Sequence, residues 1–193
     1  MRRLRTLLAC LLCVAALAAC STGEDAVTQG GDFEFVSPGG EVDIFYEDAD
    51  RQRIPELTGE DLFQPGEQIS VADYAGKVVV LNIWGQWCDP CRAEAPEMQK
   101  LYEQTRDEGV QVLGLDVRET DRAAPQDFMR NRGLTYPSIY DESGRSMLAL
   151  RGYPRNAVPS TIVVDKRQRV AAVFLRALLA EDLLPVVRRL AAE

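Results

Sequence analysis

The chain has 193 residues, with 22 basic and 30 acidic side chains and a formal net charge of −8. This acidic balance argues against a nucleic-acid partner and against electrostatic attachment to anionic lipid. The sequence contains five cysteines and no histidine. A structural zinc site needs four Cys or His ligands. The other three cysteines lie within the first 20 residues, where we predict an export signal and a lipidated cysteine, so only Cys88 and Cys91 would remain as thiols. We expect neither a metal nor another cofactor.

The first 19 residues predict an export signal. Basic residues at the start precede an apolar run over residues 6–19, which is shorter than the roughly 20 residues that a membrane span requires. The run ends in Leu17-Ala18-Ala19-Cys20, which resembles the lipobox of bacterial lipoproteins, and that resemblance implies a lipid on Cys20. An ordinary signal with a chance cysteine is the alternative. Residues 20–32 would then be the polar tether that an anchored domain needs.

Residues 33–193 predict one domain, which is long enough to bury a full core. The segment 33–76 is an N-terminal β extension in this interpretation. It holds short candidate strands at 33–36 and 42–46, and a hairpin around Pro65-Gly66.

The stretch from residue 77 to residue 96 organises the rest of the domain. Residues 77–84 are mostly β-branched or aliphatic and follow Gly76. Such a short apolar run predicts a strand that is buried on both faces. From Pro90 the pattern becomes helical, and the candidate inward-facing positions of that helix are Ala93, Met98, Leu101 and Tyr102.

Cys88 and Cys91 lie at the junction of this strand and this helix. Unpaired N–H groups and the helix dipole stabilise a thiolate at a helix N-terminus, so Cys88 is the predicted nucleophile. Cys91, one turn further, can attack a mixed disulfide at Cys88 and release the partner. Half of a zinc site is one alternative, which the lack of histidine disfavours. A static disulfide is the other, but so short a loop constrains the unfolded chain little.

The rest of the chain alternates strands and helices. A strand, a helix and a strand of these lengths imply a right-handed parallel crossover. The predicted segments are a strand at 110–116, a helix within 118–133, a strand at 136–140, a short helix from 147, an antiparallel hairpin at 157–165 and 170–174, and a closing helix at 178–192.

Two motifs carry a family resemblance. Trp87-Cys88-Asp89-Pro90-Cys91 resembles the WCxPC motif of thioredoxin-fold proteins, and Glu94-Ala95-Pro96 resembles the E-x-P that follows it in TlpA/ResA-like extracytoplasmic thiol-disulfide reductases. The likeness extends from about Ile69 to the C-terminus. It implies the α/β thioredoxin fold, with a central mixed sheet flanked by helices, the N-terminal β extension, and an inserted helix after the second core strand.

The same resemblance assigns roles to individual residues. Val158-Pro159 matches the cis-proline that faces the dithiol, where the family's backbone pairs with a substrate chain, and Trp87 would lie at the rim of that site. A trans proline opening an edge strand is the alternative. Asn82 departs from thioredoxin, which has a buried acid at this position. In ResA-like proteins the acid–base role belongs to the residue that matches Glu94; a simple helix-dipole role is the alternative.

The resemblance implies a membrane-tethered protein outside the cytoplasmic membrane that reduces disulfides in exported proteins. Apocytochrome c is the implied substrate, and a membrane electron donor of the CcdA/DsbD kind is the implied partner. Asp89 also favours a reductant, because a negative charge between the cysteines opposes thiolate formation. The alternatives are an oxidase for secreted proteins, a solute-binding lipoprotein, and a Sco-type metallochaperone, which uses a CxxxC pair and a histidine that this chain lacks.

Overall fold

The computed structural model describes residues 32–193. The predicted signal peptide, Cys20 and almost all of the predicted tether lie outside these residues. The strands of the described part are β1 (Asp43–Phe45), β2 (Thr58–Asp61), β3 (Gln68–Ser70), β4 (Val78–Trp84), β5 (Val110–Val117), β6 (Ser138–Asp141), β7 (Ser160–Val164) and β8 (Val170–Phe174). Its α-helices are α1 (Asp89–Thr105), α2 (Ala123–Arg132) and α3 (Ala180–Ala192).

All eight strands form one mixed sheet in the order β1-β8-β7-β4-β5-β6-β2-β3. The centre is parallel, since β5 pairs with both β4 and β6 in the same direction, while β7 runs antiparallel to β4. The N-terminal extension supplies both edges: β1 pairs with β8, and the β2–β3 hairpin pairs with β6. The central mixed sheet, the β extension and the inserted helix α2 are therefore confirmed.

The sheet is buried on both faces, because every residue of β4 and β5 is buried. On one face the alternate residues Val78, Val80 and Trp84 join a core to which all three helices contribute. On the other face Val79, Leu81 and Ile83 pack against the N-terminal extension and the single-turn helix Arg145–Leu148. The expectation of flanking helices thus holds fully for one face only, because the extension covers most of the other.

Two local expectations were wrong. Residues 33–36 do not form a strand; Glu34 makes only a single bridge, with Arg151, although Phe33 and Phe35 are buried. Their partners are irregular segments, so an alternating apolar pattern does not become a ladder here. Ala93 is exposed, and α1 instead turns Cys91, Glu94, Ala95, Met98 and Leu101 towards the core.

Within residues 32–193, no helix combines the length and the apolar character that crossing a membrane requires.

Candidate active site

The two predicted active-site cysteines form a disulfide where β4 passes into α1. The Sγ atoms of Cys88 and Cys91 are 2.15 Å apart, and their Cα atoms are 5.2 Å apart. Cys88 has extended backbone angles and is the N-cap of α1, and Pro90 lies in the first turn. The backbone N–H of Cys91 donates to Cys88 Sγ at 3.2 Å. The helix N-terminus therefore directs a hydrogen-bond donor at this sulfur, as a stabilised thiolate requires.

The two sulfurs differ in how well they can be reached. Cys88 is 5% exposed and Cys91 is 1% exposed, whereas the neighbouring Trp87 is 44% exposed. Trp87 therefore lies at the surface beside the more accessible sulfur, and its role in substrate binding stays a prediction. A partner approaching from solvent would meet Trp87 and Cys88 before it could reach Cys91.

The loop before β7 lies against the disulfide. The Val158–Pro159 peptide bond is cis, as the family resemblance implied. The Val158 carbonyl oxygen is 3.7 Å from Cys88 Sγ, so an extended chain pairing with this loop would pass the reactive sulfur. The fold thus brings the Val158–Pro159 loop to the neighbouring residues Trp87 and Cys88, from which it is distant in the sequence.

Glu94 is buried behind the cysteines, with 3% of its surface exposed. Its Oε1 accepts a hydrogen bond from the Leu178 N–H at 2.8 Å, and its Oε2 accepts one from Asn82 Nδ2 at 3.1 Å. Burial raises the pKa of Glu94 from its ordinary 4.5 to about 7, against the opposing effects of these two hydrogen bonds and the charge of Arg176. A carboxyl that titrates near neutrality suits general acid–base chemistry.

Asn82 positions this carboxylate. Its side chain is buried in the middle of β4 and donates both to Glu94 and to Thr161 Oγ1, the latter at 3.2 Å. The position that holds an acid in thioredoxin therefore holds a hydrogen-bond donor here. A buried acid is still present near the cysteines, but it is Glu94 on the active-site helix α1 rather than a residue of the central strand β4.

Asp89, the acid between the two cysteines, is paired rather than isolated. Its carboxylate forms an ion pair with Arg92, one turn along α1; the Asp89 side chain is exposed and that of Arg92 is half-buried. The Arg92 guanidinium also donates to the Gln86 carbonyl oxygen. The cation offsets the charge of Asp89 at Cys88, so Asp89 does not decide between a reductant and an oxidant.

Sequence reasoning missed a pair of buried acids, Asp116 and Glu119, below the active-site loop. Asp116 is completely buried at the end of β5, and Glu119 is 6% exposed. The Gln86 N–H donates to Glu119 Oε1 at 2.5 Å, and the Trp87 indole N–H donates to the Val117 carbonyl at 2.8 Å. The one signal in the sequence was Asp116 inside an apolar run. That signal is not specific, because many strands end in an acid.

Fold and site together define a thioredoxin-fold protein with a CxxC redox pair at the junction of a central strand and a helix. The sequence model of the AhpC/TSA family matches residues 51–173, and the chain belongs to that family.

Among the proteins that this chain is similar to are named thiol-disulfide enzymes. The chain is 45% identical to a secreted thiol-disulfide isomerase from Corynebacterium glutamicum, with a TM-score of 0.82 over 85% of this chain and 100% of that one. A DsbF homologue from Corynebacterium diphtheriae is 46% identical, with a TM-score of 0.78 over 83% of this chain and 100% of that one. The thiol-disulfide oxidoreductase ResA of Bacillus thuringiensis subsp. konkukian is 35% identical over 105 residues, which cover 54% of this chain and 58% of ResA. The resemblance to ResA is therefore confirmed, over less than two thirds of that relative's length.

Proposed function

We propose that the protein is an extracytoplasmic thiol-disulfide oxidoreductase that reduces disulfides in exported proteins. The observation that carries this proposal is the position of Cys88, which caps α1, accepts the Cys91 N–H and lies against the Val158 carbonyl. Two relatives support it by their names: ResA is a thiol-disulfide oxidoreductase, and the secreted corynebacterial protein is a thiol-disulfide isomerase.

The proposed reaction moves two electrons from the dithiol to the substrate. The Cys88 thiolate attacks one sulfur of a substrate disulfide, so that a mixed disulfide forms and the first substrate thiolate leaves. The Cys91 thiolate then attacks Cys88 Sγ and releases the second substrate thiolate. The protein ends with the Cys88–Cys91 disulfide, and the substrate ends with two thiols.

The second step needs a proton acceptor, because Cys91 is buried and a buried thiol ionises reluctantly. We assign this role to Glu94, which is on the same helix three residues beyond Cys91 and therefore on the same face. Its pKa of about 7 lets the carboxyl both accept and return a proton near neutral pH.

We also propose where the protein acts and which partners it meets. Disulfides persist outside the reducing cytosol, and the corynebacterial relative is described as secreted. Lipid attachment at Cys20 would hold the domain at the outer side of the membrane. Apocytochrome c is the substrate we propose, with a membrane donor of the CcdA/DsbD kind restoring the dithiol.

Disulfide isomerisation is a second candidate, favoured by the identity of 45% to the corynebacterial isomerase along that protein's whole length. An isomerase uses the same attack by Cys88 but lets a substrate thiol, rather than Cys91, resolve the mixed disulfide. Cys91→Ser should therefore abolish reduction and leave isomerisation of a scrambled substrate largely intact.

The proposed reductase activity is tested by the reduction of insulin with dithiothreitol as the electron source. The wild-type protein should accelerate the reduction, and Cys88→Ser should remove the acceleration. Reduced Cys91→Ser, freed of dithiothreitol before it is mixed with insulin, should trap a mixed disulfide with insulin. A Cys88→Ser variant as active as the wild type would overturn the proposal. It would leave a binding lipoprotein, which needs neither cysteine, as the better account.

A further inference from the structure

The segment that follows β5 holds the loop that carries Trp87. Glu119 accepts the Gln86 N–H, and the Val117 carbonyl accepts the Trp87 indole N–H. The Arg118 guanidinium lies over the Trp87 ring, with its carbon 4.8 Å from the ring centroid. Three consecutive residues therefore fix the backbone, the ring edge and the ring face of the rim of the active site.

Asp116 lies beneath this contact, and its carboxylate accepts no hydrogen bond from the described residues. It pairs in register with Trp84 of β4 and with Tyr140 of β6, so its side chain is on the face of the sheet that Trp84 occupies. Neither carboxylate oxygen receives a hydrogen bond from any residue within 32–193. An ionised carboxylate so placed is strongly disfavoured. A proton held between Asp116 and its neighbour Glu119 would satisfy both groups.

The charges around the pair favour this proton. Burial raises the pKa of Asp116 well above its usual range, and the charges of Glu119 and Asp141 add to the rise. Burial likewise raises the pKa of Glu119, and Asp121 adds to it. Tyr140 is the register partner of Asp116 on β6, and burial raises the pKa of both Tyr140 and Tyr136, with a further contribution from the charge of Asp116. The cations of the same segment are engaged elsewhere: Arg118 covers Trp87, and Arg122 lies over Tyr140 and pairs with Glu60.

We propose that Glu119 is a positioning residue, whose carboxylate, held by a proton shared with Asp116, clamps the Gln86 N–H and presents Trp87 to a protein substrate. This role rests on the proposed thiol-disulfide exchange. It adds that Glu119 shapes the surface around Trp87 on which a protein substrate would dock. When the shared proton is lost at alkaline pH, two adjacent buried anions repel each other. Glu119, the less buried of the two, then leaves Gln86, and the Trp87 rim loosens.

Three variants distinguish a hydrogen-bonding role of Glu119 towards Gln86 from a role in packing alone. Glu119→Ala removes the acceptor. Glu119→Gln keeps an acceptor oxygen for Gln86 and should restore most of the lost function. Asp116→Asn supplies a permanent N–H donor to Glu119, so the contact between Glu119 and Gln86 no longer depends on the shared proton. Glu67→Ala is the control, because Glu67 is exposed on the β2–β3 turn, outside the segments that carry Asp116, Glu119 and Trp87.

The first readout compares two disulfide probes, insulin and 2-hydroxyethyl disulfide. Glu119→Ala should raise the KM for insulin about tenfold, the loss expected when one hydrogen bond to a charged group is removed. It should leave kcat and the reaction with the small probe near wild type, because the small probe needs no docking rim. An unchanged KM for insulin, or an equal loss with both probes, would overturn the proposal.

The second readout is the emission of Trp87 in the oxidised protein, where Cys88 and Cys91 have no thiol to titrate. The Trp87→Phe variant identifies the share of the tryptophan emission that comes from Trp87 rather than from Trp84. The wild type should show an alkaline inflection in this emission, and Asp116→Asn should abolish it. An inflection that survives in Asp116→Asn overturns the shared proton. If the wild type exchanges with neither disulfide probe, the proposed function fails while the emission still tests the clamp.

Discussion

The side-chain amide of Asn82 donates a hydrogen bond to the carboxylate of Glu94, with 3.1 Å between Asn82 Nδ2 and Glu94 Oε2. A group on the central strand that cannot titrate thus orients a buried group on the active-site helix that can. Hydrogen bonds to the ionised form lower a pKa, while burial raises it. The balance of the two leaves the pKa of Glu94 at about 7, in the range where proton transfer to and from a thiol is most useful.

Glu94→Gln tests the acid–base role. Without a proton acceptor Cys91 ionises slowly, so the variant should slow exchange most at the resolving step, and mixed disulfides at Cys88 should accumulate. The exchange rate should also lose its inflection near pH 7, which rapid quenching and gel analysis across the pH range would show.

Glu97→Gln is the matched control for that experiment. Glu97 lies three residues further along α1 and accepts the Ala180 N–H, as Glu94 accepts the Leu178 N–H, but it is only partly buried. It should exchange like the wild type. Wild-type exchange by Glu94→Gln at every pH would remove Glu94 from the mechanism.

The same carboxyl should make stability depend on pH. Because the pKa of Glu94 is 4.5 when exposed and about 7 in the folded protein, the native state holds more protons in this window, and stability falls as pH rises through it. The fall due to Glu94 is about 3 kcal/mol, at about 1.4 kcal/mol per pH unit. Denaturant unfolding of the oxidised protein at pH 5 and pH 8 measures it. Glu94→Gln should show a smaller difference between these pH values, and an unchanged difference would contradict the raised pKa.

Cys88 should be the reactive thiol of the reduced protein. It caps α1 and is the more exposed of the pair, so brief alkylation below neutral pH should modify Cys88 and spare Cys91. Peptide mapping identifies the site, and Cys91→Ser should be labelled as fast as the wild type. Labelling of Cys91 first would reverse the assignment.

Cys20 lies outside the described residues, and its lipidation stays a prediction from the Leu17-Ala18-Ala19-Cys20 motif. Cys20→Ser should release the protein from membranes or leave it unprocessed. Fractionation and gel mobility report both effects, and a variant that behaves like the wild type in both would remove the lipoprotein interpretation.

Much of the site was predictable because its chemistry is local. The apolar run of β4, the spacing of Cys88 and Cys91, and Pro90 after the strand fix a thiol at a helix N-terminus within one short stretch. The cis state of Val158–Pro159 came from family resemblance rather than from residue chemistry, since most X-Pro bonds are trans.

What was missed depends on contacts between distant segments. The burial of Asp116 and Glu119 arises only when β5 enters the centre of the sheet and its end meets the Gln86–Trp87 loop. The one local signal, an acid inside the apolar run of β5, does not distinguish Asp116 from an acid at an exposed strand end, and Glu119 has no such signal. The same holds for the extension, because the placing of β1 and the β2–β3 hairpin at opposite edges is decided by long-range pairing.

The reduction potential of the Cys88–Cys91 couple tests the central claim most directly. Equilibrating the protein with graded glutathione or dithiothreitol buffers, and counting free thiols after an acid quench, gives that potential. A reductase should show one two-electron transition at a reducing potential, nearer to the roughly −270 mV of thioredoxin than to the roughly −120 mV of DsbA. A potential near that of DsbA would make the protein an oxidant, and the absence of any transition would show that the cysteines form a static bridge.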